Sequence, residues 1–226
     1  MNQIFMRERD RLKEDMLSLA GEVEMRLGDV LKAAERRDSE SLLNWIDRDS
    51  EIDEDEVKIE EECLKILALH QPVARDLRFV VAVLKINNDL ERIGDIVVNI
   101  AEKGLRLAEA PAIDIFGWLL QMGKIAREML KSSLDAFVSL DVSKAAAVIL
   151  RDDELDAMKK KVAETVVQRV NEADTGAMTG ALLLMHGVAR DLERIGDHAT
   201  NIAEDVAYLS EGRIVRHKRA AAQPQG

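Results

Sequence analysis

The sequence predicts an all-α protein built as two tandem antiparallel three-helix bundles, with six long helices and an internal duplication. Apolar residues make up 47% of the 226 residues and aromatic residues only 3%, a composition typical of long helices packed through Leu, Ile, Val and Ala. Proline (3) and glycine (12), which interrupt helices, are sparse. Apolar residues recur with the helical period, and a seven-residue segment occurs twice.

Periodicity and breaking residues give the first three helices. Over residues 5–37, apolar side chains recur three or four positions apart, as on one face of an amphipathic helix. Asp38 and Ser39 are candidate N-caps for a second helix that extends to about residue 69, because short polar side chains accept hydrogen bonds from the free amides of a first turn. Pro72 is expected to open the third helix, since proline is tolerated only in a first turn.

The second half repeats this plan after the break at Pro111. We predict a first bundle at 1–108, a second at 113–210 and a flexible basic tail at 211–226. Asp141 is the candidate cap of the fifth helix, and the sixth follows Asp174-Thr175-Gly176.

The duplication is visible in the amino-acid sequence itself. The segment Asp-Leu-Glu-Arg-Ile-Gly-Asp at 89–95 recurs unchanged at 191–197, and Asn-Ile-Ala-Glu at 99–102 recurs at 201–204. A fainter repeat pairs 48–53 with 151–156. A match of this length, in a chain about twice as long as the offset, indicates that the whole three-helix unit was duplicated.

Charge and composition exclude several functions. The formal net charge of −11 argues against sequence-independent nucleic-acid binding. The single cysteine, Cys63, cannot form an intramolecular disulfide, and acidic residues stand where a signal peptide would need an apolar stretch. No apolar run approaches the ~20 residues that span a bilayer. We therefore expect a cytoplasmic protein that reaches a membrane only through partners.

The repeated segments carry oxygen-bearing side chains in helical register. At about 100° per residue, positions four, eight and eleven apart share one face, with apolar residues on the opposite face. Two i, i+4 aspartate pairs come from the second and fifth helices. The candidate metal ligands are Asp49, Asp53, Glu91, Asp95, Asn99 and Glu102 in the first half, and Asp152, Asp156, Glu193, Asp197, Asn201 and Glu204 in the second.

Side chains that place several carboxylate and amide oxygens on one helix face favour a bound cation. Like charges four apart on a helix repel by a few tenths of a kcal/mol, and a metal ion reverses that sign. Carboxylate and amide oxygens suit iron(III), manganese, magnesium or calcium, and they offer no thiolate or imidazole set for zinc or copper. The alternative is a solvated acidic face that binds nothing. The unchanged recurrence, asparagine included, favours the ligand interpretation.

With these residues in place, the chain resembles the PhoU family of bacterial phosphate-uptake regulators. The resemblance rests on the two three-helix units, the Asp-x-x-x-Asp elements, the segment 72–78 that begins with Pro72, and both Leu-Glu-Arg-Ile-Gly-Asp motifs followed by Asn-Ile-Ala-Glu. It implies multinuclear metal clusters, often iron, on the bundle surface, held by the twelve residues named above. The second half departs from the first, because Asp174 replaces Pro72, and Lys159 and Ala163 replace Glu56 and Glu60.

The function that this resemblance implies is non-enzymatic. A member of the family is expected to repress phosphate uptake and the phosphate-starvation response when phosphate is plentiful, as a cytoplasmic adaptor. Its expected partners are the ATPase subunit of the phosphate ABC transporter, a membrane sensor histidine kinase and a second copy of the chain.

Three other interpretations stay open at this point. A di-iron carboxylate enzyme also uses a helical bundle, but its ligands project inward and include Glu-x-x-His pairs, which this chain lacks. A structural bundle with solvated acidic rows would bind no metal. An accessory protein of a different phosphate permease would share fold and metal chemistry and differ only in its partners.

Overall fold

The computed structural model describes residues 3–212 and shows only α-helices and short connections there. Of the tail predicted at 211–226, only Glu211 and Gly212, at the end of the last helix, fall within this range. No helix in the described part is long and apolar enough to cross a bilayer. The helices are α1 (Gln3–Arg36), α2 (Ser39–Asp47), α3 (Ser50–His70), α4 (Ala74–Ala108), α5 (Phe116–Ser139), α6 (Val142–Glu172) and α7 (Gly176–Glu211).

The helices form two units that share one hydrophobic core: α1 to α4, in which the second helix of the predicted bundle is split into α2 and α3, and α5 to α7. In the first unit, α1 packs on α3 and α4, and α2 also packs on α4; in the second, α5, α6 and α7 pack on one another. The units meet along α4 and α7, and also where α1 contacts α5. Buried Leu, Ile, Val, Ala and Met side chains from both units fill the interior. The predicted all-α duplicated architecture is thus confirmed.

The predicted caps set the starts of the second helix in each unit. The Asp38 carboxylate accepts a hydrogen bond from the Ser41 amide at 3.1 Å, and the Asp141 carboxylate accepts bonds from the amides of Ser143 and Lys144 at 2.9 and 3.1 Å. Each satisfies amides that have no partner within the helix. The third helix begins at Ala74, two residues after the predicted start at Pro72.

One helix differs from the prediction. The second helix is broken at residues 48–49 into α2 and α3, whereas its counterpart α6 is continuous. At the break the guanidinium of Arg26, only 2% exposed, donates to the Arg48 carbonyl at 2.7 Å and to carboxylates of Glu22 and Glu51 at 2.9 and 2.6 Å. The Arg48 carbonyl also accepts a hydrogen bond from the Glu51 amide at 3.3 Å, so Arg26 supplies a second donor where the regular helical bonding is interrupted. At the matching position the second unit has Met129, which has no donor.

A glycine sets the distance between the helices that carry the predicted ligands. A Cβ at Gly94 in α4 would lie 2.9 Å from Cδ1 of Ile52 in α3, and a Cβ at Gly196 in α7 would lie 2.5 Å from Cδ2 of Leu155 in α6. Both contacts are closer than side-chain carbons tolerate. The repeated glycine therefore lets each helix pair approach closely beside the carboxylates that flank it.

We expect Gly94→Ala to destabilise the protein. The new methyl group forces Ile52 aside at an overpacking cost of about 1–3 kcal/mol, against a gain in helix propensity of up to about 1 kcal/mol, so the net loss is about 1 kcal/mol. Chemical denaturation of the two proteins measures this difference.

Gly21→Ala is the matched control, because no atom lies within 4 Å of a Cβ at that exposed position in α1. It should stabilise the chain by up to about 1 kcal/mol. Adding Ile52→Val to Gly94→Ala removes the clashing Cδ1 and should restore part of the loss. Equal stability of the two alanine variants would contradict the close-approach interpretation.

Candidate metal site

The first cluster lies where α3 and α4 approach at Gly94. Asp53 in the first turn of α3 and Glu91 and Asp95 in α4 each place a carboxylate oxygen so that all three lie within 4.8 Å of one another. Asp53 is exposed and the other two are half-buried. The α3 and α4 helices thus bring three of the first six candidates together, and their binding of a metal stays a prediction.

The electrostatics place Asp49 beside this cluster. Burial raises the pKa of the Asp49 carboxyl, and the nearby charges of Asp53 and Asp95 raise it further, while Arg26 opposes them. Burial also raises the pKa of Glu91, followed by the charge of Asp95. A raised carboxyl pKa means that the ionised form is disfavoured, so burial and the neighbouring carboxylates outweigh the positive charges nearby.

Two further candidates, Asn99 and Glu102, lie one turn or more along α4. The Asn99 amide nitrogen donates to the backbone carbonyl of Asp95 at 2.9 Å, a bond that leaves its side-chain oxygen available. Glu102 is close enough that its charge contributes to the raised pKa of Asp49. Whether these two side chains bind metal stays a prediction.

Glu56 belongs with the first cluster although the ligand set predicted from sequence omits it. Burial raises the pKa of its carboxyl, and the charges of Glu60 and Asp53 add to the effect. Asn87 in α4 donates to the Glu56 backbone carbonyl at 2.9 Å and to its carboxylate at 3.1 Å. Its spacing of three residues from Asp53, which puts both on one helix face, is the sequence signal for this residue.

One arginine shares the first cluster. The Arg92 guanidinium lies 3.2 Å from Glu91 and 3.3 Å from Asp95, and its side chain is 52% exposed. An ion pair so exposed to solvent contributes little to stability, and the long arginine side chain can rotate away from the carboxylates. Arg92 therefore offsets part of the negative charge of Glu91 and Asp95.

The second cluster lies where α6 and α7 approach at Gly196. Its four carboxylates are the counterparts of Asp49, Asp53, Glu91 and Asp95, namely Asp152, Asp156, Glu193 and Asp197. Burial raises the pKa of Asp197 to about 6, and the charges of Glu193, Asp152 and Asp156 add to the shift. Asp197 reaches solvent, whereas Asp152 is only 4% exposed, so this predicted ligand is not a surface group.

A lysine lies inside the second cluster. The Lys159 ammonium in α6 donates to the Glu193 carboxylate in α7 and lies 3.7 Å from Asp156. The hydrogen bond to Glu193 raises the pKa of Lys159, so the lysine stays charged at neutral pH. Positive charge is thus already present where the first cluster has none from α3.

The last two candidates lie where the two halves of the molecule meet. Asn201 and Glu204 line a groove between α4 and α7. The Asn201 amide nitrogen lies 3.3 Å from the Asp89 carboxylate, and the His198 ring nitrogen Nδ1 lies 2.8 Å from the same oxygen. The period of a helix gives the face of a residue but not its neighbour, so sequence reasoning missed this contact with Asp89.

The donor chemistry of the first cluster fits a metal ion. Asp53, Glu91 and Asp95 supply oxygen ligands only, with Asp49 and Glu56 at the edge, as hard cations such as iron(III), manganese, magnesium or calcium prefer. The raised pKa values of Asp49, Glu56 and Glu91 are those of carboxylates that a cation would stabilise in the ionised form. The second cluster fits less well, because Lys159 holds Glu193.

Fold and site together define a duplicated helical protein whose repeats each carry a carboxylate cluster at a close helix contact. Residues 16–104 and 119–206 each match the model of the PhoU domain. The chain belongs to the PhoU family.

Curated relatives match nearly the whole chain. The Phosphate-specific transport system accessory protein PhoU homolog 1 of Thermotoga maritima is 35% identical over 213 residues, which cover 94% of this chain and 91% of that protein. The Phosphate-specific transport system accessory protein PhoU homolog of Deinococcus radiodurans is 40% identical over 199 residues, covering 88% of each.

Solved structures share the fold. The crystal structure of PhoU from Pseudomonas aeruginosa superposes with a TM-score of 0.86 at 34% identity, covering 92% of this chain and all of that one. The phosphate transport system regulatory protein PhoU from Streptococcus pneumoniae gives a TM-score of 0.87 at 29% identity, covering 93% and 99%.

The raised pKa of Asp197 predicts a pH dependence of stability in the metal-free protein. An unfolded aspartate ionises near pH 3.9, whereas Asp197 in the folded chain ionises near pH 6. Between these values the unfolded state loses its proton first, so the contribution of Asp197 to stability falls as the pH rises and levels off above about pH 6.5.

Thermal melts of wild type and Asp197→Asn, both free of metal, isolate this contribution from that of other titrating groups. The variant should gain in melting temperature relative to wild type as the pH rises from 4.5 to 6.5. A constant difference over that range would contradict the assigned pKa.

Proposed function

We propose that this chain is a negative regulator of phosphate uptake and of the phosphate-starvation response. It acts as a metal-binding adaptor in the cytoplasm, between a phosphate ABC transporter and a membrane sensor histidine kinase, and it reaches the membrane only through these partners. It pairs with a second copy of itself and catalyses no reaction.

The match of both halves to the PhoU domain carries this proposal. The curated relatives are named as accessory proteins of a phosphate-specific transport system, and the Streptococcus pneumoniae neighbour is described as a regulatory protein of phosphate transport. The matches extend over about nine-tenths of chains on both sides, so a role of the whole relative can apply to the whole of this chain.

The first carboxylate cluster supports the metal-binding part of the proposal. Three carboxylate oxygens converge within 4.8 Å on rigid helices, which is the arrangement that oxygen-preferring cations need. Iron is the metal that the family resemblance suggests, with manganese, magnesium and calcium as the alternatives from donor chemistry. A bound cation would tie α3 to α4 at the surface and so present one fixed face to a partner.

The location of the cluster favours an adaptor over a di-iron enzyme. A di-iron site lies in the interior of its bundle, where water is excluded and a substrate pocket forms. Here Asp53 is exposed and Glu91 and Asp95 are half-buried at the outer edge of the α3–α4 contact. The three side chains that converge there are all carboxylates, with no histidine among them.

Protein purified without chelator should contain metal that depends on the first cluster. We expect the double variant Asp53→Asn with Asp95→Asn to lower metal affinity at least about tenfold, because it removes two anionic ligands. Inductively coupled plasma mass spectrometry of the purified proteins measures metal per chain.

Asp55→Asn is the matched control, since Asp55 lies in the same helix but pairs with Lys58 at 2.7 Å. It should retain wild-type metal content. Metal content near zero in the wild type, or equal in all three proteins, would contradict a metal site at this position.

The regulatory role predicts a phenotype in the cells that encode this chain. Deletion of its gene should leave phosphate-responsive genes expressed in rich phosphate, because the repressing adaptor is missing. Transcript levels of these genes in high and low phosphate measure the effect, and reintroduction of the intact gene should restore repression. Unchanged repression in the deletion strain would contradict the proposal.

Partner capture separates this proposal from an accessory protein of a different phosphate permease. A tagged chain, cross-linked in cells grown in high phosphate, should retain the ABC transporter ATPase subunit and the sensor kinase, each identified by mass spectrometry. Recovery of another permease in their place would favour the alternative.

A further inference from the structure

The two clusters differ most in charge at one aligned position, although Glu60 is also replaced, by Ala163. With the offset of 103 residues that aligns α3 with α6, Glu56 in the first half corresponds to Lys159 in the second. The aspartate pairs and the Glu and Asp of the repeated motif are otherwise the same. Replacing a carboxylate by an ammonium changes the local charge by two units.

We propose that Lys159 closes the second cluster to metal, so that this chain takes metal ions through its first half only. The inference deepens the proposed metal-binding function and rests on it. It assigns different roles to two clusters that the repeated motifs make look equivalent.

The contacts of Lys159 support this assignment. Its ammonium donates to Glu193 in α7 and lies 3.7 Å from Asp156 in α6, so it bridges the two helices that would have to share a cation. Its side chain is 34% exposed and Glu193 only 15%, so the pair is partly shielded from solvent. A metal ion would have to displace a charged group that already satisfies its carboxylate.

The arginine of the repeated motif does not account for the difference. Arg92 and Arg194 stand at matching positions, so this cation is common to both halves. Arg92 lies in the same helix as the carboxylates it contacts and is more exposed than Lys159. Lys159, in contrast, forms a hydrogen bond to a carboxylate of the neighbouring helix, that of Glu193.

The positions of the carboxylates agree with a metal site in the first half only. Among the described residues, Asp53, Glu91 and Asp95 are the one group of three carboxylate, imidazole or thiolate side chains whose ligand atoms all lie within 4.8 Å of one another. The second cluster has the same residue types in the same register but does not reach this convergence. Glu193 binds the lysine.

Titration of the metal-free protein with Mn²⁺, followed by electron paramagnetic resonance, tests the proposal. The double variant Asp53→Asn with Asp95→Asn should bind no Mn²⁺. The double variant Asp156→Asn with Glu193→Gln should bind as much Mn²⁺ as wild type. Lys159→Glu should bind about twice as much Mn²⁺ at saturation as wild type, because it restores an oxygen ligand and removes the competing cation.

Two controls complete the set. Lys160→Glu makes the same charge change at the next, exposed position and should leave the bound amount unchanged. Glu56→Lys places a lysine in the first cluster and should lower its Mn²⁺ affinity at least about tenfold. Circular dichroism melts confirm that each variant folds, and Mn²⁺ should raise the melting temperature of Lys159→Glu by more than that of wild type.

The outcomes separate this inference from the proposed function. Loss of half the wild-type Mn²⁺ in the Asp156 and Glu193 variant, or no gain in Lys159→Glu while the first cluster still binds, would overturn the role of Lys159. No binding by wild type with binding by Lys159→Glu would overturn the metal function of the first half and support the role of Lys159. No binding by either protein would overturn both.

Discussion

The carboxylate clusters depend on how closely two helices can approach. Gly94 lies against Ile52, and Gly196 lies against Leu155, at distances that a side chain on either glycine would prevent. Apolar packing below each contact provides the free energy that holds like charges together, because burial of Ile and Leu outweighs the few tenths of a kcal/mol by which exposed carboxylates repel. The glycine and its flanking acids therefore form one structural unit, which explains in physical terms why the segment recurs intact.

The duplicated halves are joined by contacts that are no longer symmetric. Along the α4–α7 interface, Lys103 pairs with Asp191 at 2.8 Å. The position matching Lys103 is Asp205, which instead pairs with Lys85 at 2.9 Å, while Asp89 contacts His198. Asp191 and Asp205 are each 2% exposed, and a buried carboxylate without its cation is costly. These pairs therefore fix the register between halves and make each half distinct.

Much of this molecule could be predicted from sequence, and the exceptions share a cause. Helical periodicity, the caps Asp38 and Asp141 and the repeated segment were enough for fold class and for most helix boundaries. The break between α2 and α3 could not be predicted, because it depends on a buried arginine 22 residues earlier. The same limit applies to Asn201 and Asp152: a pattern along one helix defines a face, whereas burial and partners depend on which helix packs opposite.

The break between α2 and α3 places one predicted ligand of the first half, Asp49, at a junction between helices. Asp49 is the residue before α3 and follows Arg48, the residue that ends α2, whose carbonyl accepts the hydrogen bond from Arg26. A reorientation of α2 would displace the Asp49 carboxylate, and any ion that Asp49 helps to hold would resist the reorientation by the same free energy. The position of this predicted ligand is therefore linked to the orientation of α2, whereas its counterpart Asp152 lies within the continuous helix α6.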